Sequence, residues 1–313
     1  MSMIDKPIAR RSLLLGAAGA AAAASLPILG PAGTAHAADG LELIEDEMVT
    51  SRLNYLRFKT DQISWDPAVN VLLPNGYTPN KRYPVLYLLH GGVQDFRTFD
   101  NLGVQDMAHQ DMIIVMPDGG VAGWYSNPIR SNTGPKNWET FHISQLIPFI
   151  DSKYSTHAEY AGRAVGGFSM GGFGALKYTA KYYGHFSAVT AFSGPADLRF
   201  NLGAVAHWAN ESAAADLGVT SGIYGMPWNE AKVSADNPME NIDSFQGKRV
   251  SFYSGSTMDQ EHIVRMSQIN FSKALNNAGI GHNFTPFDGP HHVRPSDLQF
   301  ELDEIAAHLK AAA

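Results

Sequence analysis

The 313-residue sequence contains no cysteine. That absence removes disulfide bridges, thiolate metal sites and a cysteine nucleophile together. An excess of basic charge is lacking too, since Asp and Glu number 30 against 23 Lys and Arg and the net charge is −7. A chain of that sign has no electrostatic footing on nucleic acid or on anionic lipid, and neither is expected as a partner. No clustered His and carboxylate spacing reads as a metal site, and no cofactor is implied. From Leu41 onward there is no low-complexity linker and no repeat. The length suits one α/β domain with a large connection.

An unbroken apolar run able to span a bilayer is also missing near the start, where Pro27, Gly30 and Pro31 interrupt an Ala-rich stretch. Arg10-Arg11-Ser12-Leu13-Leu14-Leu15 ahead of that stretch is a twin-arginine pattern, and Ala35-His36-Ala37 is a small-x-small cleavage site. Residues 1–37 are therefore expected to be an export signal, leaving 38–313 as a single catalytic domain, secreted or associated with the cell envelope and without stable membrane insertion. Because residues 1–37 carry Lys6, Arg10 and Arg11 against Asp5, the remainder is near −9.

What is present begins with Gly167-Phe168-Ser169-Met170-Gly171, a G-x-S-x-G pattern. This pattern places a serine on a sharp strand-to-helix turn, where a side chain at either glycine would collide with neighbouring backbone. The flanks agree: Arg163–Phe168 is a β-compatible run, and Phe173–Tyr183 puts Leu176 and Ala180 on one helical face. A serine that only capped a helix would not need glycine on both sides.

A serine hydroxyl is a weak nucleophile until a base takes its proton and a third group orients that base. Of twelve histidines, those on a loop after the last strand fit the chain order Ser, acid, His. His282–Phe287 reads as that strand and Gly289-Pro290-His291-His292 as the loop, making His291 the expected base and His292 its alternative. His282 reads as a strand-edge residue. Ser296 with Gln299 forms a capping-box pattern for a helix whose apolar stripe is Leu298, Leu302, Ile305 and Leu309. The acid should follow the strand Arg249–Ser254, and both Asp259 and Glu261 are in reach; either is also placed to cap the helix Ile263–Asn276, and position alone slightly favours Asp259.

Tyr83–Leu89 is too continuously apolar to be exposed on one face and reads as a central parallel strand leading into His90-Gly91-Gly92. The N–H of Met170, next to the nucleophile, and that of Gly92 are the expected oxyanion donors, with Gly91 and Val93 as neighbours of the second position. His90 reads as structural. Trp124 and Asn127 follow the strand end at Ile113–Met116 and should face the same crevice as substrate-binding residues.

Around these motifs, Met48–Phe58 and Val69–Leu73 supply early strands at an antiparallel edge. Thr140–Tyr154 is a helix burying Ile143, Leu146, Ile147 and Ile150, with Pro148 expected to kink it, and Ala188–Gly194 is the strand after the elbow helix. Residues 195–247 have no strand period and suit a cap or acyl-chain groove; Trp208, Tyr224, Met226 and Trp228 within them read as its core. The expected fold is thus an α/β-hydrolase, a mostly parallel sheet with helices on both faces and a cap-like insertion between the elbow helix region and the acid strand.

The elbow, Ile113–Gly120, Trp124-Tyr125-Ser126 and Trp138-Glu139-Thr140-Phe141 together resemble the antigen 85 mycolyltransferases and their secreted serine esterase relatives. Asp236-Asn237-Pro238 resembles that family's Asn-Asp-Pro segment, and Glu261-His262-Ile263-Val264-Arg265 its Glu-x-x-Val-Arg motif, whose glutamate is the acid. The resemblance therefore selects Glu261 over Asp259, and Gly289-Pro290-His291 again selects His291. It departs at His90-Gly91-Gly92-Val93, where the family's trehalose-holding Asp and Arg are absent, and at His292-Val293-Arg294, where an aromatic residue is missing. The resemblance implies acyl transfer through an acyl-Ser169 intermediate. An acyltransferase of the mycolyltransferase or diacylglycerol acyltransferase type is expected, acting on an acyl ester and an alcohol; a carboxylesterase using water is the alternative, and a non-catalytic surface-binding protein the third reading.

Overall fold

The computed structural model of the chain describes residues 40–312; the segment 1–37, expected to be an export signal, lies outside the described residues. A nine-stranded sheet organises it: β1 (Leu41–Met48), β2 (Leu53–Thr60), β3 (Ala68–Leu72), β4 (Val85–Leu89), β5 (Ile113–Pro117), β6 (Arg163–Phe168), β7 (Ala188–Phe192), β8 (Arg249–Ser254) and β9 (Asn283–Pro286). Their order across the sheet is β1-β2-β3-β5-β4-β6-β7-β8-β9. The pairings β1·β2, β2·β3 and β3·β5 are antiparallel, and every pairing from β5·β4 to β8·β9 is parallel.

The continuous burial of β4, β5, β6 and β7 explains their unalternating apolar sequences, because helices cover both faces of such strands. Alternation within β4 assigns the two sides: Val85, Tyr87 and Leu89 enter one core, and Leu86 and Leu88 the other. The first core receives α1 (Ile147–Lys153), α2 (Met170–Lys181), α3 (Phe200–Ser212) and α5 (Gln260–Asn277). The second receives α6 (Pro295–Ala312), whose stripe Leu298, Leu302, Ile305 and Leu309 is no more than 1% exposed. Between β7 and β8, α3, the short helix Ala214–Leu217 and α4 (Glu230–Asp236) form the insertion.

Three local expectations need correction. Met48–Phe58 is not one strand but straddles a hairpin, because Thr50 Oγ1 accepts the N–H groups of Arg52 and Leu53 and turns the chain there. Ser296 is not the cap of α6: Pro295 holds the first helical position, Arg294 O accepts from Asp297 and Leu298 N–H, and Gln299 is spent on Asp303. The helix expected over Thr140–Tyr154 is not uniformly α: a widened π turn spans Phe141–Leu146, and Pro148 follows it in the first turn of α1.

Candidate active site

The strand β6 ends by delivering Ser169 into a turn at φ 54°, ψ −116°, a conformation that carries strain for any residue with a Cβ. Close packing imposes it. A Cβ on Gly167 would lie 2.3 Å from Gly171 O, and one on Gly171 would lie 2.0 Å from Leu89 O, so the nucleophile turn and the end of β4 fit together only with glycine at both positions. Ser169 N donates to Phe192 O at 2.8 Å, and Ser169 O opens α2 by accepting from Phe173 N at 3.0 Å.

Ser169 Oγ lies 2.7 Å from His291 Nε2, and His291 Nδ1 is in short hydrogen-bond contact with Glu261 Oε2. The carboxylate beside Nδ1 keeps the proton on that nitrogen and leaves Nε2 free to accept from the serine. Glu261 is fully buried at the first turn of α5. Its other oxygen accepts from Ser193 Oγ at 2.9 Å and from Gly255 N–H, so all its strong contacts are donors. Ser193 sits just past β7 at φ +48° and is a participant the sequence reading passes over; its only signal there is its position one strand over from the elbow.

The remaining candidates separate cleanly. Asp259 is exposed and is the N-cap of α5, accepting from Glu261 N at 2.9 Å; that hydrogen bond and the one from Thr257 hold its carboxyl below the usual range. His292 turns its Nδ1 back to Pro290 O at 2.9 Å and packs against Phe287. His282 bonds Ser272 and Ile280 O and stacks on Phe252 at the sheet edge. The loop holding His291 is fastened by Gly289 O, which accepts from Ser256 N at 2.9 Å, and by the Phe168 ring, centred 4.9 Å from the imidazole.

On the other side of the serine, Gly91 N donates to Gln94 Oε1 and Val93 N to Val121 O. Among the described residues, Gly92 N–H and Met170 N–H have no protein acceptor, and both line the cavity that contains Ser169. His90 is buried and accepts from Gly119 N at Nε2, which puts its proton on Nδ1, 2.7 Å from Gly91 O. Since that carbonyl and the Gly92 N–H belong to one planar peptide, the imidazole fixes the direction of the N–H.

Two hollows meet at His291 and share Phe168, Val93 and Val121 in their linings. The first, about 250 Å³, contains Ser169, Gly92 and Met170 and is walled by Trp124, Trp208 and Ser212. Trp124 is 2% exposed, donates from its ring to Ser212 at 2.8 Å, and meets Trp208 edge to face at 5.2 Å. Trp208 is thus part of the site wall, a role that its setting in a helical insertion hides. Asn127 does not reach the hollow; its side chain bonds the backbone and hydroxyl of Thr140. The second hollow, about 810 Å³, borders His291 but neither the nucleophile nor the two free N–H groups.

Behind the site, Lys177 of α2 is fully buried between Glu139 (2.7 Å) and Asp236 (3.1 Å). Lys181 reaches the same two carboxylates and Lys232 of α4 reaches Asp236. Burial opposes ionisation of Glu139, yet the Lys177 and Lys181 charges hold it at about 2; Asp236 is held well below its usual range against the same burial, by Lys177, Lys232 and Lys181. Lys232, desolvated and facing Lys177, is lowered to about 8. Among the described residues no group of His, Asp and Glu is arranged to hold a metal ion.

The family model named Esterase matches residues 60–309. An esterase of Mycobacterium tuberculosis (strain H37Rv) is 52% identical over 288 residues, covering 88% of this chain and 63% of that protein. This chain therefore spans less than two thirds of the length of that relative. Among solved structures, an S-formylglutathione hydrolase from Agrobacterium tumefaciens aligns with a TM-score of 0.69 at 14% identity, over 87% of this chain and 100% of that one. MPT51 of Mycobacterium tuberculosis aligns at 0.68 and 17% identity, over 83% and 100%. A ferulic acid esterase aligns at 0.58 and 21%, over 86% and 99%. At such identities the structural likeness carries the α/β-hydrolase fold alone. The narrower kinship with the antigen 85 mycolyltransferases is not carried by these likenesses.

Proposed function

The chain belongs to the esterase family, and from that premise we propose that it is a serine carboxylesterase acting through an acyl-Ser169 intermediate. The observation that carries the reading is the unbroken hydrogen-bonded chain from Ser169 Oγ through His291 to the buried Glu261. Ser169 attacks the ester carbonyl while His291 Nε2 takes its proton, and Glu261 stabilises the imidazolium that forms. The oxyanion is received by the N–H groups of Gly92 and Met170. Collapse breaks the bond between carbonyl carbon and alkoxy oxygen, and His291 returns the proton to the departing alkoxide. Water then attacks the acyl-serine with His291 as base, releasing the acid and restoring the serine. No metal or cofactor enters these steps.

Acyl transfer to an alcohol is the second reading. It is favoured by the wider hollow beside His291, which has room for an acceptor in place of water. The two readings share every residue and differ in what attacks the acyl-serine. Mass spectrometry of products from an acyl ester, with and without trehalose or diacylglycerol and with Ser169→Ala as control, separates them: free acid alone supports hydrolysis, and a new acyl ester supports transfer. Labelling of Ser169 by a fluorophosphonate, absent in Ser169→Ala, tests the nucleophile; no labelling of the folded protein would overturn both. We further propose export by the twin-arginine route with cleavage after Ala37, tested by the amino-terminal sequence of protein recovered outside the cell and its retention when Arg10 and Arg11 are replaced by Lys.

A further inference from the structure

Among the described residues three lysines are buried, Lys136, Lys177 and Lys248. Lys136 is paired with Asp216 at 3.1 Å and Lys177 with Glu139 and Asp236, as charges withdrawn from water require. Lys248 has no carboxylate partner among them. Its Nζ donates to Tyr183 O at 2.5 Å and to Phe186 O at 2.7 Å, two carbonyls just past α2. Its remaining contacts are the Tyr160 hydroxyl at 3.4 Å and the Tyr160 ring, centred 4.4 Å away. The carbonyls account for its position as a cap on the chain beyond α2, but they supply no full counter-charge. With no acid beside it, burial lowers the ammonium to about 8.

The same lysine lines a hollow of about 500 Å³, a size that suits a small molecule. It lies at the far end of the parallel strands from the nucleophile: Tyr160 precedes β6, Tyr183 and Gly184 precede β7, and Lys248 precedes β8. The six residues of β6 put about 20 Å between it and Ser169. Tyr160 and Tyr183 contribute flat rings with polar tips. Among the described residues the Asp243 carboxylate, the Ser244 hydroxyl and the Gln246 amide, which also line the hollow, have no protein partner. His185, next along from Gly184, is held below its usual range by burial and then by the Arg163 and Lys248 charges, so this end of the hollow is positive.

One cation without a partner and one free acid in the same hollow select a ligand with a single negative charge. A carboxylate would answer Lys248, and hydroxyl groups would meet Asp243, Ser244 and Gln246. A phosphate monoester would set its second charge against Asp243. We propose that this hollow is a second ligand site, apart from the catalytic cleft, that takes a small hydroxylated monocarboxylate of the sugar-acid class, with its carboxylate on Lys248 and its ring against Tyr160 and Tyr183.

The test is titration calorimetry of the full chain at fixed ionic strength with glucuronate, glucose 6-phosphate and glucose. Glucuronate is expected to bind saturably and at least tenfold more tightly than either of the others, the scale of one hydrogen bond to a charged group. Lys248→Met should weaken glucuronate at least tenfold for the same reason. Tyr183→Ala should weaken it about threefold, the scale of one aromatic contact. Should Lys248→Met fail to fold, Tyr183→Ala decides, because that ring is 73% exposed and its loss leaves the core intact. No saturable binding of glucuronate, glucose 6-phosphate or glucose bound as tightly, or an affinity that the folded variants leave unchanged would overturn the proposal.

Discussion

Ser193 Oγ donates to Glu261 Oε1 at 2.9 Å, and both side chains are fully buried. With Gly255 N–H on the same oxygen, that contact leaves Oε2 to His291. A hydrogen bond to a charged group contributes about 1.5–3 kcal/mol. Ser193→Ala is therefore expected to lower kcat about tenfold and to slow fluorophosphonate labelling in parallel, with Ser193→Thr recovering part of both. An unchanged labelling rate would mean that the serine only packs.

The two carboxylates near His291 should respond differently. Ser169→Ala and His291→Ala are expected to remove turnover with the fold intact, and Glu261→Gln to cost less than either. Asp259→Asn should leave kcat within about twofold, because an asparagine serves as an N-cap nearly as well as an aspartate. Steady-state kinetics on one ester decides this, and greater damage from Asp259→Asn than from Glu261→Gln would reassign the acid.

Trp208 closes the hollow that contains Ser169 against Trp124. Trp208→Ala should shift acyl preference upward, raising kcat/KM for a hexanoyl ester relative to an acetyl ester by about tenfold, the scale of one to two buried methylenes. A chain-length profile over C2 to C8 esters, matched to wild type, would rule out this wall if it did not move.

Burial holds His142 at about 4, with Nε2 donating to Asp118 O and Nδ1 accepting from Tyr178. An unfolded histidine titrates near 6.5, so above that pH the ring is neutral in both states and its contribution is complete. Between about 6.5 and 4 the unfolded chain binds the proton and the native chain does not, and stability falls. About 2 kcal/mol should be lost between pH 7 and pH 5 through this group. Burial lowers His185 and His308 as well, so urea denaturation of His142→Gln should show a flatter decline rather than none. Glu139, held at about 2, adds its own loss only below about 4.5.

Lys177→Met would leave Glu139 and Asp236 buried with one fewer cation between them. Breaking a buried pair in this way costs about 3–5 kcal/mol, and a loss of unfolding free energy of that size is expected from urea denaturation. A variant as stable as wild type would show that Lys181 and Lys232 suffice.

Legibility in the sequence followed how local each requirement is. The turn at Ser169 announces itself because the close approach of β4 admits only glycine at 167 and 171, a constraint written into five adjacent residues. Continuously apolar β4 and β5 and the stripe of α6 are legible for the same reason. Contacts that depend on strand order are not. Ser193 is an ordinary strand-end serine until β7 is seen beside β6, and Trp208 looks like insertion core until α3 is seen against Trp124. Asn127 misleads in the opposite direction: it lies at the right strand end, but its amide is taken by Thr140. The hairpin at Thr50 is missed because both of its arms are β-forming, and only a hydroxyl marks the reversal.

The cluster of Lys177, Lys181, Lys232, Glu139 and Asp236 joins the helix that begins at the nucleophile to the segment that walls the hollow at Ser169. Substrate range and nucleophile geometry thereby share a fastening. A foreign insertion transplanted between β7 and β8 would have to bring a carboxylate to the place of Asp236, or the elbow helix would be left with Glu139 alone to balance Lys177 and Lys181. The insertion that walls the site is thus free at its surface and constrained at its root.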